Sequence, residues 1–439
     1  MPDRSVPVLW QVAADDGFRQ VVAHGSVPAR PEFGHSVHVE VHGLRAGAWY
    51  WYRFRADNHL SPIGRTRTAP AIGASTARVA FTLSSCQRYS NGFYTAHRHM
   101  TDEDLDAVVH VGDYVYETPP GPTDIRPHEG LGEPVTLDEY RNRHAQYRTD
   151  ADLQACHAAF PWLVVLDDHE LENNWADEVP QDPDGQTRTA FLTRRAAALR
   201  AYYEHMPLRR SSIPTGIDMQ LYRRLTFGDL LDVHLLDTRQ YRSDQNQSRR
   251  LDPSRTILGG GQERWLYANL TGPTARWNAL AQQVFFSRYD LNRGPASGFN
   301  EDSWDNYVVE RDLVRDRIAA ARTSNPVILT GDVHANHVCD VKADFADPAS
   351  DTVATELVAT SISSDGDGVD MSSDDPARLL ENPHIKFINR QRGYIRNVVT
   401  PESWIADFRV LDYVSAPGSP ITTRARFVIE NGRPGAMAA

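Results

Sequence analysis

Five short apolar runs rich in β-branched residues recur along the chain with helical stretches between them. They are VAFTL (79–83), AVVHVG (107–112), WLVVLD (162–167), LLDVHLLD (230–237) and PVILTG (326–331). DLQACHAAFP and TRTAFLTRRAAALRAYYEHM, which lie between them, have the composition and spacing of helices. Strands alternating with helices predict an α/β layered domain, here over residues 73–439. Near the end, GYIRNVVTPESWIADFRVLDYV alternates around a turn and reads as an antiparallel hairpin.

Residues 1–72 show a different pattern. VPVLWQVAA, RQVVAHGSV, SVHVEVHGL, WYWYRFRAD and SPIGRTRTA are short segments with alternation or β-branched and aromatic enrichment, which predicts an all-β domain. The small, polar stretch TRTAPAIGASTAR (66–78) reads as the linker to the α/β domain. In GLRAGAWYWYRF, Leu44, Gly47, Tyr50 and Tyr52 resemble the tyrosine corner of fibronectin type III sandwiches, with Ala46 in the proline position. Such a sandwich takes about 100 residues and seven strands. Only about five strands fit, so the opening strands and any export signal are expected to lie outside this chain.

Bulk properties exclude several classes. At 439 residues the chain exceeds one ordinary core, and its charge of −12 argues against bulk nucleic-acid or anionic-membrane binding. Three cysteines are too few for a disulfide framework in a chain this long, and none is expected to be bridged. No apolar run reaches the roughly 20 residues of a transmembrane span. MPDRSVPVLW lacks the charged-then-apolar layout of a secretion signal.

In open α/β sheets, reactive groups collect beyond the carboxyl ends of strands. Four of the five runs end in metal-ligand residue types: SSCQ, GDYVYE, DDHELENN and GDVHANH. Each residue alone has an ordinary explanation. Cys86 could be buried filler, Asp113 or Asp332 a turn former, Tyr116 packing, and His169 or His334 a satisfied histidine. Donors at four strand ends together are hard to obtain from packing. Asp113 and Tyr116 are three apart, so a helical turn leaving the strand is expected to place both on one face. Asp332 and His334 are two apart, so an extended chain is expected to do the same.

GDYVYE, DDHE and GDVH, in that order, resemble the motif series of dinuclear metallophosphatases. The closer resemblance is to the PhoD-like (alkaline phosphatase D) family, on SSCQ, DDHE, TGDVHAN, GFYTAHRHM, LLDTRQYR, WNALAQQV, TSISSDGDG and NPHIKFINRQRGY. It spans essentially the whole chain. It implies a metallophosphatase fold of two packed mixed sheets flanked by helices, with a β-rich N-terminal companion. It also implies alkaline hydrolysis of phosphomonoesters and phosphodiesters, with teichoic-acid-like polymers, phospholipids or nucleotides as candidate substrates, and export in folded form to an extracytoplasmic location. Relative to the wider superfamily, Cys86 replaces an aspartate, Asp332 replaces a histidine, and no Val-x-x-His motif supplies a further ligand.

The donors sort by chemistry. Cys86, Asp113, Tyr116 and His334 form a sulfur, nitrogen and oxygen set, and thiolate with tyrosinate suits Fe(III), which the resemblance also implies. Asp168, Asn173 or Asn174 (Asn174 being preferred), Asp332 and the second oxygen of Asp113 form an oxygen-only set suited to Ca(II), again as the family implies. Such a pair activates water and holds phosphoryl oxygens for in-line attack. His169, beside Asp168 and free of the metals, is placed to protonate the leaving group. Arg239 in LLDTRQ reads as a solvated surface arginine. The competing readings are a diester-specialised nuclease or phospholipase, a non-catalytic metal-containing surface module, and Cys86 as a thiol nucleophile.

Overall fold

The computed structural model describes residues 3–272 and 275–439. The N-terminal strands are β1 (Val6–Ala13), β2 (Val21–Ala29), β3 (Trp49–Ala56), β4 (His59–Leu60) and β5 (Gly64–Arg67). They form one antiparallel sheet in the order β2-β1-β3-β4, with β5 also paired to β3. The strand expected in SVHVEVHGL does not form. This segment leaves the sheet and directs its polar groups to the larger domain instead. His38 Nδ1 donates to the Leu208 carbonyl (2.9 Å), its ring stacks on Tyr203 (4.2 Å), and Glu40 accepts from the Arg210 N–H (3.1 Å).

The remainder runs β6 (Val79–Ser84), α1 (Thr95–Thr101), β7 (Ala107–His110), α2 (Leu137–Tyr147), α3 (Ala151–Ala159), β8 (Trp162–Val164), α4 (Arg188–His205), β9 (Arg223–Phe227), β10 (Leu231–Leu235), α5 (Gly259–Thr271), β11 (Trp277–Ala281) and α6 (Val308–Ala321). It continues with β12 (Pro326–Thr330), β13 (Asn336–Lys342), β14 (Thr352–Val358), α7 (Asp375–Glu381), β15 (Ile385–Asn389), β16 (Gly393–Val399), β17 (Ser403–Leu411), β18 (Ile421–Glu430) and β19 (Arg433–Ala438). All five apolar runs are strands: β6, β7, β8, β10 and β12. The predicted hairpin is β16–β17, in register from Gly393 opposite Val410 to Val399 opposite Trp404.

Two seven-stranded mixed sheets result, ordered β19-β18-β17-β16-β6-β7-β8 and β15-β13-β14-β12-β11-β10-β9. The pairs β6–β7, β7–β8, β10–β11, β11–β12 and β12–β14 are parallel. Side chains alternate across a strand, so each run has to satisfy two cores. In β6, Val79, Phe81 and Leu83 enter the core between the sheets, while Ala80 faces the helices. In β12, Val327 and Leu329 enter the same inter-sheet core and Ile328 meets α5 and α6 through Leu266, Leu270, Val314 and Ile318. Helices α1–α4 cover the outer face of the first sheet. The architecture is a layered α/β fold, helices on sheet on sheet on helices. All three cysteines are free and buried.

Candidate active site

The carboxyl ends of the parallel strands β6, β7, β8 and β12 converge, delivering Cys86, Asp113, Asp167-Asp168-His169 and Asp332 to one place. A parallel bridge between Ser85 and Ser361 ties the two sheets together at this edge. The convergence requires two close backbone approaches. A Cβ on Gly112, whose φ is +115°, would stand 2.4 Å from Asp167 Cβ and 2.7 Å from its backbone nitrogen. One on Gly331 would stand 2.6 Å from Ser85 Oγ and 2.9 Å from Val111 Cγ2. Glycine precedes aspartate in both Gly-Asp motifs because nothing larger fits there.

Cys86 (φ 58°), Asp113 (58°), Asn174 (53°), Asp332 (64°) and His334 (52°) all adopt left-handed backbone conformations. Non-glycine residues held this way cost on the order of 1–3 kcal/mol each and concentrate at functional sites. Two geometric expectations fail as a result. Asp113 and Tyr116 are not joined by a helical turn, yet the tight turn still brings Tyr116 Oη to donate to Asp113 Oδ2 at 2.8 Å. Asp332 and His334 do not point together along an extended chain. Asp332 groups with Asp167 and Asp168, whereas His334 groups with Cys86 and Asp113.

The donor atoms form a continuous array. Cys86, Asp113 and His334 have ligand atoms within 4.8 Å of one another; so have Asp113, Asp168 and His169, and Asp167, Asp168 and Asp332. Tyr116 Oη completes the first group, accepting from Ser364 Oγ (2.8 Å) and lying 3.2 Å from His334 Nε2. His334 Nδ1 is oriented by Asp365 Oδ2 at 2.7 Å. Asn174 contributes a backbone N–H to Asp168 Oδ2 (2.8 Å), and Asn173 one to Glu117 Oε1 (2.9 Å).

A cation fits this array on two observations. Among the described residues, Asp113 Oδ1 and Asp168 Oδ1 are buried without a hydrogen bond, the latter having an ion-pair approach of 3.4 Å from Arg239. Buried carboxylate oxygens are ordinarily paired or bound to metal. Burial, reinforced by neighbouring acids, pushes the protonation equilibria of Cys86, Asp113, Asp167, Asp332 and Tyr116 well above their usual ranges. Five groups that resist ionisation for want of positive charge are what a metal centre supplies with it.

Two groups shift in the charged direction. Burial disfavours charge on Asp168, but Arg239 and His169 outweigh it and hold the carboxyl below its normal range. Burial likewise opposes the His169 imidazolium, yet Glu117, Asp168 and Asp113 raise it well above the ordinary value. The His169 imidazole is therefore held on one side. Its Nδ1 is 2.7 Å from Glu117 Oε2 and its ring stacks on Tyr116 at 4.1 Å.

Arg239 corrects the sequence reading outright. It is fully buried, bonded through Nε to Asp167 and through Nη1 and Nη2 to Asp302 Oδ1 (2.7 Å) and Oδ2 (2.6 Å). Its position just beyond β10, a fifth strand end at the same edge, was the available signal. Glu170 was also missed as a brace: its carboxylate accepts from the N–H groups of Asp113 (3.1 Å), Tyr114 (2.6 Å) and Asp167 (2.8 Å), pinning the β7 and β8 turns together. A cavity of about 390 Å³ lined by Arg88, Tyr116, Glu117, Glu133, His169 and His334, among others, opens beside the array.

The family model for the PhoD-like phosphatase matches residues 81–408, and that for the PhoD-like phosphatase N-terminal domain matches residues 1–70. The chain is 48% identical over 450 residues to alkaline phosphatase D of Bacillus subtilis (strain 168), covering 99% of this chain and 76% of that protein. A solved structure described as "Structure of PhoD" superposes with a TM-score of 0.97 at 48% identity, covering 100% of this chain and 86% of that one.

Proposed function

This chain belongs to the PhoD-like phosphatase family and is a metal-dependent phosphoric ester hydrolase, and from that premise we propose which of its residues do the work. Cys86, Asp113, Tyr116 and His334 are read as the ligands of ferric iron, and Asp168, Asp332, Asn174 and the second oxygen of Asp113 as those of calcium. The mixed soft and hard donors of the first set and the oxygen-only second set support this division. When bound, the metals supply Lewis acidity toward water and toward the phosphoryl oxygens.

The protein's own contribution is positional and acid–base. Glu117 fixes His169 through Nδ1, leaving Nε2 to carry a proton, and the Tyr116 ring supports the imidazole from one face. His169 is accordingly assigned as the general acid that protonates the departing alkoxide. Glu170, bonded to three backbone N–H groups, holds the two acid-bearing turns in register so that this proton is delivered to a fixed place. Asp365 sets the orientation of His334 in the same way.

Two coarser assignments accompany this reading. Residues 1–72 are taken as a fibronectin III-like unit and 73–439 as the catalytic domain. The donation from the Arg45 N–H to Tyr50 Oη (2.8 Å), the hydrogen bond of a tyrosine corner, supports the former. The enzyme is placed outside the cytoplasm on family grounds; no helix among the described residues is long and apolar enough to cross a membrane.

The observation that carries the assignment is the pair of buried, unbonded carboxylate oxygens on Asp113 and Asp168. Metal analysis and the visible spectrum of the purified protein test it, alongside hydrolysis of bis(4-nitrophenyl) phosphate before and after chelation. About one iron per chain, a thiolate–phenolate charge-transfer band, and activity restored only by iron with calcium are expected. Full activity in a metal-free, colourless protein overturns the assignment.

A further inference from the structure

Arg88 stands two residues beyond Cys86, where the chain enters a single 3-10 turn at Tyr89–Asn91. Its backbone is fixed on both sides: the N–H donates to Ser364 Oγ (3.1 Å) and the carbonyl accepts from Ser363 Oγ (2.9 Å). The side chain is also held. Nε donates to Ser90 Oγ at 3.0 Å, and the guanidinium carbon lies 5.9 Å from the centre of the Tyr116 ring. The edge carrying Nη1 and Nη2 meets no hydrogen-bond acceptor or carboxylate among the described residues, and Arg88 lines the cavity beside the metal-ligand array.

Other arginines around the site are engaged by the fold. Arg239 is clamped by Asp167 and Asp302, and Arg143 by the carbonyls of Tyr116 and Thr118. Arg392 donates to the carbonyls of Gly366 (2.9 Å) and His334 (2.7 Å). The carboxylates lining the cavity are equally committed. Glu117 pairs with His169 (2.7 Å), Asp365 with His334 (2.7 Å) and Glu133 with Arg194 (2.9 Å). Among the described residues, Arg88 is left pre-ordered at Nε, with Asp365 acting on it only across space and no hydrogen-bond partner at its outer edge toward the cavity. A guanidinium presents parallel N–H groups that match two oxygens of a phosphoryl group, and holding it in place beforehand lowers the ordering cost of binding.

We propose that Arg88 is the substrate-binding cation of this enzyme, its Nη edge donating to the non-bridging oxygens of the phosphate ester. The assignment rests on the phosphoesterase reading above. It makes Arg88 a contributor to affinity for the phosphoryl anion in ester and product alike. Its loss should then raise KM for the ester and the inhibition constant of inorganic phosphate together, by ten- to a hundredfold, with kcat changed less than threefold.

The experiment compares wild type with Arg88→Ala and Arg88→Lys on bis(4-nitrophenyl) phosphate, with orthophosphate as competitor and metal content and Tm recorded for each. Support is a parallel rise in both constants at unchanged metal content, partial retention in Arg88→Lys, and recovery of the Arg88→Ala KM on adding guanidinium. Unchanged KM and phosphate inhibition overturn the proposal, as does an effect in both variants that follows metal loss or melting. Calorimetric titration of orthophosphate into the metal-loaded proteins separates the two readings. A wild type that binds phosphate more tightly than Arg88→Ala yet cleaves no ester would sink the hydrolase reading and keep Arg88. Equal phosphate binding in an active pair would do the reverse.

Discussion

At the scale of single residues, the proposed roles divide between groups assigned to hold metal, one assigned to move a proton, and groups such as Arg239 and Glu170 that brace the turns around them. His169→Ala removes the proton donor but none of the assigned ligands. It is expected to keep both metals while kcat falls by about 10²–10⁴, the usual worth of one general acid; loss of metal in this variant would make His169 a ligand instead. Arg239→Met leaves Asp167 buried without its cation, while Asp302 keeps Arg242, and breaking a buried pair of this kind costs about 3–5 kcal/mol. A large drop in Tm is expected, and a variant as stable as wild type would show that the clamp is dispensable. The gathering of Cys86, Asp113, Asp168, Asp332 and His334 at one place was legible because metal-ligand residue types at consecutive strand ends are improbable as packing. Arg239 was not, because in an arginine-rich chain with only Lys342 and Lys386 as lysines, residue type says nothing about burial. Only the fold shows that its strand end meets two aspartates from other segments.

Between elements, the turns after β7 and β12 are decisive. The strands were readable from apolar runs that fill two cores at once, whereas the exit geometry was not. Helical or extended spacing rules assume ordinary backbone angles, and Asp113, Asp332 and His334 all leave their strands in the left-handed region. The same blindness hid the absence of a strand at 36–44, where alternation was present but the partner that absorbed the segment lies some 170 residues away. Gly112 is the most constrained point. Gly112→Ala sets a methyl group against Asp167 and fixes an L residue at φ +115°, and overpacking with strain should together cost about 2–4 kcal/mol. Reduced Tm with weakened metal retention is expected, read by melting and metal analysis. Gly121→Ala, whose nearest neighbour is an Asp124 side-chain oxygen at 3.4 Å, should be nearly silent.

For the whole molecule, the order of strands in the two sheets could not be read locally, because β16 reaches back over some 300 residues to pair with β6. That long-range closure creates a helix-side core with an unusual content. It receives one imidazole from each of five elements: His97 (α1), His110 (β7), His144 (α2), His157 (α3) and His205 (α4). Trp162 packs against His97, His110 and His157, while Tyr114 touches His110, His144 and His157. Among the described residues, His110 and His144 find no hydrogen-bond partner at either nitrogen. Burial lowers all five, His97 to about 4 and His110, His144 and His157 well below 6.5. Arg148 adds to the depression of His144, His157 and His205, and Arg143 to that of His144; Asp150 beside His97, and the Ala201 carbonyl with Glu204 beside His205, oppose it. The folded state thus keeps these rings neutral while the unfolded chain protonates them near 6.5. Their stabilising share is complete above that pH and is lost as pH falls toward 4, at about 1.4 kcal/mol per pH unit for each ring that stays neutral. Tm measured from pH 8 down to pH 4 should hold and then fall steeply below about pH 6.5. Metal release also destabilises in acid, so the discriminating measurement is the difference between wild type and the double variant His110→Phe, His144→Phe. The variant should lose less stability across the interval, and equal slopes would show that His110 and His144 contribute nothing to the acid lability.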